Sequence, residues 1–281
     1  MKLIADSGST KTAWRTINAQ GQIAQANTIG FNPFFQDSDF IANELTNSLL
    51  PQINGQITAI YYYGTGCSTP DNQAIIRLAL ERVFVDAQHI EINTDILGAA
   101  RALCGQSAGL ACILGTGSNT CFYDGQKIDH QVANLGFWLG DEGSGGYLGK
   151  TLVTAYLLGE LPTDLATKFQ KRHPLLTRDV VLENAYKKPS PNRYFASFSK
   201  FLFDNRSHHF AYQLIYKAFD IFFERYISKY PNYAQLKVHF TGSVAFYYAD
   251  ILRQVANDKN ITIGIVSENP IAGLSLYHSE G

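Results

Sequence analysis

Apolar and polar positions change period several times along the chain, and the changes divide it into two similar series. Short apolar or alternating runs at Lys2–Ala5, Ala13–Ile17 and Ile23–Thr28 predict three strands. Asn18-Ala-Gln-Gly21 turns the second strand into the third, and Gly30-Phe-Asn-Pro33 reads as a loop. Helical spacing runs from about Asp39 to Leu49. A strand over Ile57–Tyr63 then enters Gly64-Thr-Gly66. A helix over Asp71–Val85, a strand over Ile90–Asn93 and a helix over Ile96–Leu103, with Asp95 at its start, complete the first series.

The pattern then restarts. Leu110–Leu114, Thr120–Tyr123 and Lys127–Val132 predict three more strands, the last two joined by an Asp124-Gly125 hairpin turn. Helices are expected over Gly146–Leu158, Asp164–Lys171, Arg178–Tyr186, Ser197–Phe203 and Phe210–Tyr230. The strand Lys237–Phe240, the helix Val244–Ala256, the strand Ile261–Val266 and the helix Ile271–Tyr277 follow. A β-β-β-α-β-α-β-α half followed by a second three-stranded start is the organisation of a duplicated fold. The boundary is placed near Gly105–Ala108. That gives a first domain over residues 1–105 and a second over 106–281, with a helical insertion at about 160–210.

Composition removes several classes of function. The chain has 281 residues, 46% of them hydrophobic, enough for two packed domains. A formal net charge of -1 supplies no basic field, so no nucleic-acid partner is expected. No apolar run reaches transmembrane length and no signal peptide opens the chain, so a cytoplasmic protein without a membrane partner is expected. Cys67, Cys104, Cys112 and Cys121 lack C-x-x-C spacing, which argues against zinc or an iron–sulfur cluster held by this chain alone.

Two short segments carry the chemistry. Asp6-Ser-Gly-Ser-Thr-Lys-Thr12 follows the strand Leu3-Ile4-Ala5, so a carboxylate at a strand end leads into a tight turn. Small residues bare backbone N–H groups, hydroxyls add donors, and a carboxylate can hold magnesium through water. Leu114-Gly-Thr-Gly-Ser-Asn119 is a second loop of the same kind. Together they read as a nucleotide gripped from two sides. Gly145-Gly-Tyr-Leu-Gly-Lys-Thr151 is not a P-loop, because Ser144 stands where glycine is required and no strand precedes it. Phe219, Phe222, Phe223 and Tyr226 recur at helical spacing and read as core.

With His239-Phe-Thr-Gly-Ser-Val-Ala245, a strand, turn and helix start, these segments resemble the actin, hexokinase and Hsp70-like ATPase superfamily. Gly115-Thr-Gly-Ser-Asn119 followed by Gly140-Asp-Glu-Gly-Ser144 is similar to the BadF/BadG/BcrA/BcrD-type group, which includes N-acetylglucosamine kinase. Asn93-Thr-Asp95 before the small-residue run Leu97-Gly-Ala-Ala100 fits the same group. The resemblance implies an α/β fold of two ribonuclease H-like (actin-like ATPase) domains with an interdomain cleft. It implies an ATP-dependent amino-sugar kinase using Mg2+, most simply one that converts N-acetylglucosamine to its 6-phosphate. N-acetylmuramate, glucosamine or another hexose is the alternative acceptor, and an ATPase that activates a partner enzyme is the alternative class. A homodimer is plausible for this group.

Carried onto this sequence, the resemblance assigns Asp95 as general base and Asp6 to magnesium. Gly8, Ser9, Thr10 and Lys11 would face the phosphates from one side, and Gly115, Thr116, Gly117 and Ser118 from the other. Gly242, Ser243 and Val244 would border the nucleobase, and Asn32, Asn119 and Asp141 the acceptor sugar. Each residue also has a plain structural reading. Asp95 suits a helix N-cap, Asp6 an Asx-turn, Lys11 a solvated surface charge and Asn32 a turn before Pro33. Of Asp141 and Glu142, one would contact sugar and the other would cap the following helix. Phe137 and Trp138 would offer an aromatic face or simple core; the kinase pattern carries its aromatic residue nearer Leu135.

Overall fold

The computed structural model describes residues 1–8 and 10–279. They form two compact units. The first comprises Met1–Ala108, Tyr123–Ile128 and the segment from Asn269; the second comprises Gly109–Phe122 and Asp129–Glu268.

The first unit is built on a sheet of order β3-β2-β1-β4-β5. β1 (Lys2–Ser7), β2 (Lys11–Ile17) and β3 (Ile23–Ile29) form an antiparallel meander, and β4 (Ala59–Gly64) and β5 (His89–Thr94) add in parallel. Strand alternation sends β1 side chains to opposite faces. Leu3 and Ala5 join a core with Trp14, Ile41, Leu45, Ile76 and Leu80, from α1 (Ser38–Glu44), the turn after it and α2 (Pro70–Val83). Ile4 joins the other core with Tyr63, Ile271 and Leu274, under α3 (Asp95–Cys104) and the C-terminal helix of the chain. Each face of the sheet is therefore covered by helices.

Local chemistry explains the departures from the expected elements. Asp37 caps α1 through the Phe40 N–H, but the helix widens to a π turn over Leu45–Leu49 and tightens to a 3-10 turn over Leu50–Gln52. Pro51 lacks the N–H that a continuing helix would need. In α3, a Cβ on Gly98 would lie 2.8 Å from Cβ of Tyr63. The glycine thus lets α3 lie directly on β4, which fixes the height of its first residue, Asp95.

The second unit repeats the topology with the order β10-β9-β6-β7-β8. Its strands are β6 (Gly109–Leu114), β7 (Ser118–Tyr123), β8 (Ile128–His130), β9 (Val238–Thr241) and β10 (Ile263–Ser267). Between β8 and β9 lie α4 (Gly136–Leu139), α5 (Gly145–Leu157), α6 (Thr163–Arg172), α7 (Arg178–Tyr186), α8 (Pro191–Ala196), α9 (Ser199–Asp204) and α10 (His209–Arg225). α4 and α8 were not expected, although Ser190-Pro191 is a helix-start signal. α10 stops at Arg225, followed by a 3-10 turn over Ile227–Lys229. The single helix expected over Val244–Ala256 is two, α11 (Ser243–Tyr247) and α12 (Ala249–Asp258). They part at Tyr248, whose buried hydroxyl donates to the Ser199 carbonyl at 2.6 Å. α13 (Ile271–Ser279) closes the first unit. No helix among the described residues is long and apolar enough to cross a membrane.

Replacing Gly98 by Ala tests the close approach of α3. Helix propensity alone favours Ala by about 1 kcal/mol. The overlap with Tyr63 is expected to outweigh it, giving a net loss of roughly 1–3 kcal/mol in urea denaturation. A stabilised variant would show that α3 does not rest on β4 as described.

Candidate functional site

In the first unit, strand register assembles the site. Asp6 pairs with Tyr63, and Tyr63 with Asn93; one row further on, Ser7 pairs with Gly64, and Gly64 with Thr94. Gly8, Thr65 and Asp95 therefore leave the carboxyl edge of the sheet side by side. That edge is where ligands bind in open α/β sheets. The strand carrying Asp6 and the strand leading into Asp95 are two spacings apart, about 10 Å, and Asp95 lies two residues beyond the row of Asp6.

Asp95 is the first residue of α3 but not its cap. Thr94 Oγ1 accepts the Leu97 N–H at 3.4 Å, and Asp95 Oδ1 accepts its neighbour, the Ile96 N–H, at 2.8 Å. Burial raises the Asp95 pKa, while the Ile96 N–H and the Thr65 hydroxyl pull it back. Asp6 is pushed up to about 7, first by burial and then by the charge of Asp95, with Lys11 opposing. The two carboxylates thus share one poorly solvated edge.

The loop after β1 is anchored from below and exposed at its tip. Ser7 Oγ and Thr12 Oγ1 are buried and hydrogen-bonded at 2.8 Å, and Ser7 Oγ accepts the Phe31 N–H at 3.2 Å. The Gly8 N–H donates to the Lys11 carbonyl at 3.1 Å. Gly8, Thr10 and Lys11 are exposed, and Ser9 lies outside the described residues. Asn32 makes the turn its sequence suggests: Oδ1 accepts the Phe34 N–H at 3.0 Å. Its Nδ2 carries two donors that the turn does not use. Oδ1 lies so close to Gly66 that a Cβ there would come within 2.5 Å, which ties the Asn32 loop to the segment following β4.

In the second unit, the loop after β6 is gripped from three directions. The Gly145 and Gly146 N–H groups donate to the Gly115 and Thr116 carbonyls at 2.8 and 3.0 Å. The Ser118 N–H donates to Asp141 Oδ1 at 3.0 Å, and Asn134 Nδ2 donates to the Ser118 carbonyl. Gly242, at φ +112°, packs so tightly that a Cβ would meet the Leu114 carbonyl oxygen at 2.3 Å. Gly115, Thr116, Gly117, Ser118, Asp141 and Gly242 are thereby brought together. Ser243 is exposed at the start of α11, whereas the Val244 side chain belongs to the core. Asn119 is turned to its own strand neighbourhood, its Oδ1 accepting from Gln131 Nε2 and the Thr120 N–H, each at 2.9 Å.

Ser144, not an acid, caps α5, its Oγ accepting the Tyr147 N–H at 3.1 Å. Burial and the adjacent Glu142 raise the Asp141 pKa, against the Ser118 N–H and Lys150. Phe137 stacks on Phe195 and carries the Lys150 ammonium over its ring at 4.7 Å. Trp138 is 49% exposed and stacks on Tyr186, so it is not core. Asn134, Thr65 and Arg225 were not among the expected site residues, and Tyr226 was expected only as core. Asn134 precedes a Gly-rich turn and had a local signal; Arg225 and Tyr226 end an aromatic helix and had none.

No protein-family model matches the chain, and no curated protein matches it. Solved structures do. A ROK family glucokinase from Streptomyces griseus, in complex with glucose and AMPPNP, aligns with 100% of this chain and 98% of its own at TM-score 0.56 and 12% identity. At that identity the likeness concerns the fold alone. Two structures named as putative N-acetylglucosamine kinases are more similar. That from Chromobacterium violaceum is 19% identical at TM-score 0.72, over 98% of both chains. That from Porphyromonas gingivalis is 41% identical at TM-score 0.95, over 100% of this chain and 99% of its own. The chain belongs to the N-acetylglucosamine kinase-like family, as its motifs had indicated.

Asp6→Asn tests the electrostatics of the first unit. The unfolded carboxyl titrates near 3.8 and the folded one at about 7, so folding favours the neutral form. Below pH 4 both states are protonated and the variant should gain nothing. Between pH 4 and 7 the wild type must, on folding, take up a proton that the unfolded carboxyl has given up. The variant is therefore expected to become more stable than wild type, levelling above pH 7 at a gain on the order of 2–4 kcal/mol in metal-free denaturation. A gain that is constant with pH would contradict the assigned cause.

Proposed function

We propose that the protein is an ATP-dependent amino-sugar kinase that transfers the γ-phosphoryl group to O6 of N-acetylglucosamine. The observation that carries this reading is the Asp6–Asp95 edge. There Thr94 relieves Asp95 of capping, burial raises both carboxyls, and the charge of Asp95 raises Asp6 further. Membership of the N-acetylglucosamine kinase-like family supports the choice of acceptor.

Asp95 acts as general base. It accepts the O6 proton as that oxygen attacks phosphorus, and ADP leaves. Burial makes its carboxylate more basic than an exposed aspartate, which suits proton acceptance near neutral pH. Asn32 would offer its Nδ2 to an acceptor hydroxyl, and Asp141 and Asn119 are the matching candidates in the second unit. Gly8, Thr10 and Lys11, exposed after β1, serve the phosphates together with Ser9, as do Gly115, Thr116, Gly117 and Ser118. Gly242 and Ser243 are assigned to the nucleobase side, where Val244 contributes through its backbone.

No cluster of three or more metal-ligating side chains occurs among the described residues, so magnesium would need oxygen donors beyond the protein's own. Asp6 fits that role: its raised proton affinity beside Asp95 marks a site where a divalent cation relieves repulsion between acids. Mg2+ bound there through water, with phosphate oxygens completing its shell, would neutralise charge on the nucleotide. Closure over the acceptor would exclude water and limit idle hydrolysis. A cytoplasmic location and a homodimer remain part of the same reading.

Asp95→Ala is expected to lower turnover at least about a hundredfold while calorimetry finds AMPPNP binding little changed. Unchanged turnover would remove Asp95 as base. In an ADP-release panel of N-acetylglucosamine, N-acetylmuramate, glucosamine and glucose, the first should have the highest kcat/KM. Release independent of every sugar would favour a partner-activating ATPase instead.

A further inference from the structure

We propose that Glu142 is a positioning residue. Held by Arg225 and Tyr226 at the end of α10, it sets the backbone of Asp141 and, through it, the loop Gly115–Ser118. The inference rests on the reading of that loop as phosphate-binding.

Glu142 is only 3% exposed and lies next to Asp141, itself buried. An ionised acid in such a place needs partners. Oε2 accepts the Tyr226 hydroxyl at 2.6 Å, and Oε1 accepts from Arg225 Nη1. Neither partner lies near Glu142 in sequence. The end of α10 also embraces the turn on both sides. A Cβ on Gly140 would meet Tyr226 Oη at 2.9 Å, and one on Gly143 would meet Phe222 Cβ at 3.2 Å.

That embrace has a backbone consequence. Asp141 sits at φ +61°, in the left-handed region that non-glycine residues adopt only where their surroundings hold them. In this conformation its carboxylate reaches the Ser118 N–H, and its carbonyl accepts the Ser144 N–H at 3.1 Å. The next two amides, of Gly145 and Gly146, hold the Gly115 and Thr116 carbonyls. Glu142 therefore lies at the centre of a turn whose two ends both grip the glycine loop.

A buried ion pair is weak evidence of stabilisation; its better-attested use is to fix one arrangement among several. The Arg225 side chain is 62% exposed, so its contact with Glu142 is open to water. The Tyr226 bond is the dry one. Removing it should loosen the loop more than removing the guanidinium does.

The test uses Glu142→Gln, Tyr226→Phe and Arg225→Met in the full-length protein, each checked for a cooperative thermal transition. AMPPNP affinity is measured by calorimetry without sugar. kcat, KM for ATP and KM for N-acetylglucosamine are measured separately. Folded Glu142→Gln and Tyr226→Phe should weaken AMPPNP about tenfold and lower kcat about tenfold, the scale expected when a site is displaced by a fraction of an ångström. Arg225→Met should lose about threefold, with Arg225→Lys restoring most of it. Lower thermal stability with AMPPNP affinity and kcat within twofold of wild type would overturn the proposal. If Glu142→Gln fails to fold, Tyr226→Phe decides. If wild type binds AMPPNP but phosphorylates no sugar, the kinase reading fails, and the nucleotide arm alone judges Glu142. If wild type does not bind AMPPNP at all, the proposal falls with its loop.

Discussion

The parallel pairing of β1, β4 and β5 is the constraint on which the first unit's chemistry depends. The three strands stay in register to their last residues, so Gly8, Thr65 and Asp95 emerge together. A one-residue slip of β1 would turn Asp6 to the opposite face and carry Leu3 and Ala5 out of their core. Burial of an apolar pair and the aim of Asp6 are thus set by one interaction. Thr94 links the strand to the helix without a connecting residue: it pairs with Gly64 and also caps α3. Asp95 inherits its place from both elements. Gly98 fixes the remaining freedom by letting α3 rest on Tyr63.

The second unit uses the same strand order to a different end. Its edge is organised by close backbone approach instead of by acids at strand ends. Gly242 touches the Leu114 carbonyl, and Gly145 and Gly146 donate to the carbonyls of Gly115 and Thr116. These contacts bare small-residue backbone on one side of a loop and immobilise it on the other. A side chain at Gly242 would force apart the segments after β6 and β9. Two of the three sequence motifs of the superfamily therefore meet physically within this unit.

What could be read from the sequence was what local chemistry decides. Strand alternation, the restart after Gly105 and the small-residue turns follow from patterns a few residues long, and the two matching sheets bear out the duplicated α/β fold. The π turn at Leu45–Leu49 and the break at Tyr248 were hidden, because each depends on a distant partner or on how one helix end is resolved. Asn32 makes the turn that its sequence context suggests, through its side-chain oxygen. For Asp141 and Glu142 the helix-cap reading does not apply, since Ser144 caps α5. Glu142 was opaque because its partners lie more than eighty residues away, on a helix whose spacing speaks only of core. The return of the chain to the first unit was equally silent, since α13 docks by backbone proximity of Gly273 to Ala102.

The two acid pairs differ in a way that assigns their work. Glu142 is tied to a guanidinium and a phenol, and Asp141 to a backbone amide, so charge there is matched in place. Such contacts hold geometry. Asp6 and Asp95 form no ion pair among the described residues, and each is raised by burial. Their state changes readily when a cation or a proton arrives. A phosphoryl acceptor must lose a proton where a base can take it, while the phosphates need a frame that does not move. On the proposed kinase reading, the tethered pair suits the frame and the Asp6–Asp95 edge suits the proton.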